Sequence, residues 1–502
     1  MSTALVSELR SVGETIFSNV KINRAFSNKT LDGVQVLVFF QQDQRVLQRE
    51  LQLRMPDSWV EKVKKSGLPM VSVDGSDKRY LVIRPYLGLP EKEGYQLEAG
   101  QDITVRETMG AAYRWLVGQG LVEAEVLLFE HTKKQLQQAL IGLDLASYRF
   151  KDAVKKRPQI QLYINKFKGR ISQREIEDAA SVSGSVNIAR HLVNLPPNRL
   201  FPESYATLIS QYFSKIPNVK TEIWNEARLK KEKMGLLLAV GQGAEKTPRL
   251  VIIKYRPRGV KNKTPIAFVG KGITFDSGGL DIKPADGMRL MKKDMGGSAA
   301  VVGICNWVVK SGLKQNVDFY LSLAENAVSG SSFRPSDVVE ARNGMSVEIH
   351  NTDAEGRLAL ADALDLAIKQ KVPPRLVVDI ATLTGAVKVG LGVDVAGLFS
   401  NDDKTAQKIQ KAGEITGDRV WRLPLIRSYQ SKFNSNFADM VNAVDGFGGA
   451  INAALFLKKF VGSTAWVHLD IYAWKDSISG CFAETGGSGQ AVQCMIEYLK
   501  NE

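Results

Sequence analysis

Short runs of apolar, often β-branched residues recur along this chain, set between stretches of helical spacing and polar turns. VQVLVFF (Val34 to Phe40) and AEVLLFE (Ala124 to Glu130) read as buried strands. Ile141 to Phe150 reads as a helix leading out of this unit, so the first part is mixed α/β to about Phe150. A basic stretch, Lys151 to Arg170, follows and is the candidate boundary. Gln173 to Val193 carries apolar residues at roughly helical spacing, and NLPPN (Asn194 to Asn198) stops it. Proline cannot continue a helix and restricts the residue before it.

Beyond that point strands and helices alternate. LVIIKY (Leu250 to Tyr255), IAFVG (Ile266 to Gly270), VDFYLSLA (Val317 to Ala324), LVVDIA (Leu376 to Ala381) and AWVHLDI (Ala465 to Ile471) read as strands. Ala299 to Lys310 and Ala359 to Lys369 read as helices between them. Buried β-branched runs separated by helices predict a mainly parallel sheet covered on both faces. The expected fold is therefore α/β in two domains: a smaller N-terminal α/β domain at 1–150, a linker and connecting helix at 151–190, and a larger C-terminal domain at 191–502. In such sheets function collects at the carboxyl ends of strands.

Composition narrows the class. The 502 residues are 44% hydrophobic and 24% charged, as in an ordinary globular protein. No stretch reaches the about 20 apolar residues of a membrane helix; Val377 to Phe399 comes closest, and Asp379, Lys388 and Asp394 interrupt it. The N-terminus lacks a basic start followed by an apolar core, and Cys305, Cys481 and Cys494 are too few for a disulfide framework. Together these point to the cytosol. The net charge of +14 keeps nucleic acid open as a partner. The basic residues, however, fall in small scattered groups (Lys62, Lys64, Lys65; Lys155, Lys156, Arg157; Arg228, Lys230, Lys231, Lys233) without interleaved aromatics, which favours a solvated surface.

Three blocks carry the candidate chemistry. VGKGITFDSGGLDIKP (Val269 to Pro284) reads as a strand ending in a Gly-rich loop with Lys271, Asp276 and Lys283. It is not a phosphate-binding Walker loop, because Gly272 and not Ser or Thr follows Lys271. MRLMKKDMGGSAAV (Met288 to Val301) places Asp294 before Gly296-Gly297 and an apolar helical stretch. NTDAEGRLALADAL (Asn351 to Leu364) alternates Asp353, Glu355 and Arg357 through a segment read as irregular before a helix. Each block alone has a structural reading, such as a turn, a helix-dipole carboxylate or a capping cluster. Jointly they offer four carboxylates, two lysines and an arginine from three strand ends. Such a cluster suits divalent cations, and two ions about 3.5–4 Å apart can share bridging carboxylates and a water. Histidine does not do this work: His350 and His468 lie beside strands and read as structural, and no HExxH occurs.

These blocks resemble the signatures of the leucyl aminopeptidase (cytosol aminopeptidase) family, NTDAEGRL most specifically. The resemblance runs from about Ala189 to the C-terminus through ARHLVNLPPN, GLLLAVGQG, DIATLTGA, GGAINAALFLKKFV and WVHLDI. It implies removal of N-terminal residues from short peptides at two divalent metal ions, zinc or manganese. One ion falls to Lys271, Asp276, Asp294 and Glu355, and the other to Asp276, Asp353 and Glu355. Lys283 and Arg357 become the catalytic pair, Arg357 holding a bicarbonate ion. Met291, Thr382 and Gly385 match positions around the first side chain, and Tyr472 stands where many members carry a small residue, which implies a shifted first-residue preference. The resemblance also implies a homohexamer, a dimer of trimers. A DNA-binding protein on the same scaffold is one alternative, set against by the intact seven-residue constellation, which mere binding would not require; a two-metal phosphoesterase is another, which the Lys271 ligand and DAEGR disfavour.

Overall fold

In this computed structural model the described residues are 2–14, 21–22, 34–40, 44–74, 78–87, 101–151, 160–166, 168–260 and 263–502. The basic group Lys155, Lys156, Arg157 lies outside them. The chain forms two compact units, one of residues 11–184 with 477–485, the other of 1–10, 185–476 and 486–502.

The smaller unit holds a six-stranded sheet. Val34–Phe39 and Glu123–Phe129 are central and parallel, and only Met70–Asp74 runs antiparallel, against Arg79–Ile83. The strand runs VQVLVFF and AEVLLFE are thus both present. The helix read from Ile141 begins earlier, at Lys133, because Thr132 caps it: its hydroxyl accepts from Gln135 N while the Gln135 side chain accepts from Thr132 N.

The larger unit is built on an eight-stranded sheet. We label its strands β1 (Val219–Trp224), β2 (Arg249–Tyr255), β3 (Ile266–Asp276), β4 (Val317–Asn326), β5 (Leu376–Ala381), β6 (Ala396–Ser400), β7 (Val420–Arg422) and β8 (Trp466–Asp470). Their order across the sheet is β7-β6-β8-β5-β3-β4-β2-β1. The four central strands β8, β5, β3 and β4 are mutually parallel, so their carboxyl ends open on one edge. LVIIKY is a strand but runs antiparallel to β4, and β6 runs antiparallel to β8. Helices α1 (Gly296–Lys310) and α2 (Glu355–Ile368) are buried along nearly their whole length. The core that α2 joins includes Val269, Tyr320, Leu360, Leu364, Val377 and Trp466.

Two elements differ from the sequence reading in ways that matter for the site. Strand β3 does not stop at Gly270 but continues to Asp276, pairing Lys271 with Ser322 and Asp276 with Asn326 of β4. Helix α2 starts at Glu355 instead of Ala359, so Glu355 and Arg357 occupy its first turn. The segment from Val377 to Phe399 is strand, short helix and strand. Among the described residues no helix is long and apolar enough to cross a membrane.

Candidate active site

The carboxyl ends of β3, β5 and β8 border a cavity of about 620 Å³. Lys271 points from β3 into this edge. Its Nζ lies 2.9 Å from Asp294 Oδ2 and 2.9 Å from Glu355 Oε1, and donates to Thr382 O at 3.2 Å. Asp276, at the end of β3, accepts from Gly278 N and from Asn326 Nδ2, both at 2.9 Å. Lys283 Nζ stands 2.8 Å from Asp276 Oδ2 and also pairs with Asp353. Asp294 is fixed by Thr382 Oγ1, which donates to its Oδ1 at 2.8 Å. All five residues assigned to metal therefore meet in one place, with Lys283 among them. One oxygen each of Asp276, Asp353 and Glu355 converge within 4.8 Å of one another.

Electrostatics show what this arrangement lacks. Four carboxylates form ion pairs with only two ammoniums, which leaves the cluster short of direct counter-charge. Burial and then the charge of Asp276 hold the Glu355 carboxyl above its usual range, and burial does the same for Asp294. Asp353 is pushed up to about 6 by burial and by Asp276 and Glu355. Burial alone would drain the proton from Lys271, but Asp294, Glu355 and Asp276 outweigh it and hold its pKa up. Glu355 Oε2 is buried and has no hydrogen-bond partner. An orphaned carboxylate oxygen beside three more carboxylates is the donor set of a hard or borderline divalent cation. The residues present thus fit the metal that the sequence implies.

Arg357 lines the cavity from the first turn of α2. One Nη donates to Asn442 O at 2.9 Å, its Nε has no partner, and burial pushes its pKa down to about 10. Met291, Thr382, Gly385 and Tyr472 line the same cavity. Glu355 sits behind the wall. The histidines are elsewhere: His468 is fully buried with Nδ1 2.5 Å from Asp379 Oδ1, and His350 lies 3.4 Å from Glu348.

Several residues that position the site escaped the sequence reading. Asn326 ties Asp276 to Thr352 O, and Asn442 holds the loop before α2 by donating to Asn351 O at 2.7 Å. Asp470 accepts from Leu383 N, Thr384 N and Thr384 Oγ1, joining β8 to the loop after β5. Gln490 Oε1 accepts from Tyr472 N and Ala473 N. Asp470 lies within the quoted WVHLDI motif and was open to suspicion on that ground. Asn326, Asn442 and Gln490 are lone polar residues with no signature.

A mainly parallel α/β sheet with lysines and carboxylates gathered at one edge defines the class as a candidate metal-dependent enzyme. The comparisons make the class particular. The catalytic-domain profile of the cytosol aminopeptidase family matches residues 187–496. A probable cytosol aminopeptidase of Methylorubrum populi is 45% identical over 338 residues, which is 66% of this chain and 67% of that protein. The crystal structure of cytosol aminopeptidase from Coxiella burnetii superposes with TM-score 0.79 at 29% identity, covering 95% of this chain and 99% of the other. The bottromycin maturation enzyme BotP in complex with Mn gives TM-score 0.81 at 30% identity, covering 94% and 99%. This chain belongs to the cytosol aminopeptidase family, and it is a leucyl aminopeptidase-type peptidase that depends on divalent metal.

Proposed function

We propose that the protein removes the first residue of short peptides in the cytoplasm at a two-metal centre held by Lys271, Asp276, Asp294, Asp353 and Glu355. The observation that carries this reading is the convergence of Asp276, Asp353 and Glu355, with Asp294 beside Glu355 across Lys271 and with Glu355 Oε2 buried and unpartnered among the described residues. Bound there, two divalent cations, zinc or manganese, supply Lewis acidity that polarises a carbonyl and acidifies a water toward neutral pH. With the dications bound, Lys271 would serve as a neutral amine ligand. The ammonium of Lys283, in the cavity wall, donates to the scissile carbonyl oxygen as negative charge develops on it. Arg357, with its Nε unpartnered among the described residues, would hold a bicarbonate ion, which would supply proton transfer to the leaving amine. Met291, Thr382, Gly385 and Tyr472 surround the first side chain. Six copies assemble as a dimer of trimers.

The test is hydrolysis of leucine amide beside N-acetyl-leucine amide by zinc- or manganese-loaded protein. Turnover of the free amine alone is expected. Equal cleavage of the acetylated compound would contradict an exopeptidase.

A further inference from the structure

One wall of the cavity carries two ammoniums that form no ion pair among the described residues. Lys293 is 6% exposed and lines the cavity, and its Nζ stands 4.4 Å from the centre of the Tyr472 ring. Lys388, on the short helix Gly385–Leu391, also lines the cavity and places its Nζ 4.9 Å from the same ring. Among the described residues neither ammonium has a hydrogen bond or an ion pair. Two neighbouring lysines do: Lys292 donates to Asn194 O at 3.0 Å, and Lys475 pairs with Asp394. The carboxylates whose charge reaches Lys293 are Asp294 and Asp470. Both are engaged elsewhere, Asp294 by Lys271 and Thr382, Asp470 by Leu383 and Thr384.

A lysine buried to this degree is rarely left without a counter-charge. The face of Tyr472 supplies part of what is missing, and Gln490 fixes that ring's backbone. Leu290, Met291, Thr382, Leu383 and Gly385, which also line the cavity, carry no charge. A carboxylate entering beside Tyr472 would meet two cations, with the nearby Asp294 and Asp470 already engaged by Lys271, Thr382, Leu383 and Thr384. We propose that Lys293 and Lys388 bind the side-chain carboxylate of the substrate's first residue, so that peptides beginning with Glu or Asp are preferred. The inference rests on the aminopeptidase reading above. The first side chain, and not the C-terminal carboxylate of a short peptide, is the source, because the lysines stand among Met291, Thr382, Gly385 and Tyr472.

The experiment is kcat/KM of metal-loaded protein for Glu, Asp, Gln, Leu and Arg amides, which have no free C-terminal carboxylate, together with the dipeptide Leu-Gly. Wild type, Lys293→Met and Lys388→Glu are compared. Wild type is expected to favour the Glu amide over the isosteric Gln amide by about tenfold or more. Lys293→Met should erase most of that ratio, and Lys388→Glu, at an exposed position, should shift preference toward Arg. Calorimetry of L-glutamate against L-glutamine on the same proteins should follow the same order. A Glu-to-Gln ratio near one in wild type, or one unchanged in both variants, overturns the proposal while leaving an active aminopeptidase. So does sensitivity to Lys293→Met confined to Leu-Gly. Failure to hydrolyse any amide removes the aminopeptidase reading and this inference with it.

Discussion

Lys271 and Lys283 are the same residue type a few ångströms from the same carboxylates, yet the account gives them opposite duties. Lys271 is fully enclosed between Asp294 and Glu355, whereas the Lys283 side chain keeps 15% of its surface exposed in the cavity wall. Only the second can reach a substrate while remaining charged. Lys283→Ala and Arg357→Ala should therefore each lower kcat by about 10²–10³, the usual effect of losing one oxyanion donor or its equivalent, with metal content unchanged by elemental analysis. Wild-type kcat in Lys283→Ala would remove its role. The carboxylates and these two cations were legible in the sequence because charge this dense beside glycines and alanines demands a partner. Lys293 was not: nothing in MRLMKKDM singles it out, and only burial against Tyr472 sets it apart.

At the scale of elements, strand β3 and helix α1 act as one device. Their contact is so close that a Cβ on Gly297 would lie 2.0 Å from Ile380 O of β5, and one on Gly270 would lie 2.5 Å from Ser298 Cα. The glycines that punctuate GKG therefore do not end the strand, as the sequence suggested. They let the helix N-terminus, and Asp294 just before it, press against the sheet. The early start of α2 was hidden for a related reason. NTDAEGR reads as a polar turn, but Glu355 and Arg357 point inward from a helix whose first turn is buried. The strand runs themselves were legible because buried parallel strands are continuous apolar stretches; the orientation of β2 and β6 was not, because pairing direction leaves no mark on such a run. Gly297→Ala should cost about 1–3 kcal/mol, the typical effect of overpacking a dense interior, and weaken metal affinity by moving Asp294. Denaturant unfolding and metal titration measure both. An unshifted midpoint with unaltered metal binding would show that the contact yields freely.

For the molecule as a whole, the single chain leaves apolar surface in water beside the cavity. Val389 is 88% exposed and Phe447 is 96% exposed, each next to segments that line it. Burial between copies would relieve both, in keeping with the hexamer that the family resemblance implies. Light scattering should give six times the 55.3 kDa chain, and a fully active monomer would refute the assembly. The claim on which everything else depends is that the carboxylate cluster works only with metal. The direct measurement is metal content by elemental analysis alongside leucine amide hydrolysis, before chelation, after it, and after zinc or manganese is returned. The account predicts two ions per chain, loss of activity with their removal, and recovery with their return. Full activity in protein shown to be metal-free would contradict it.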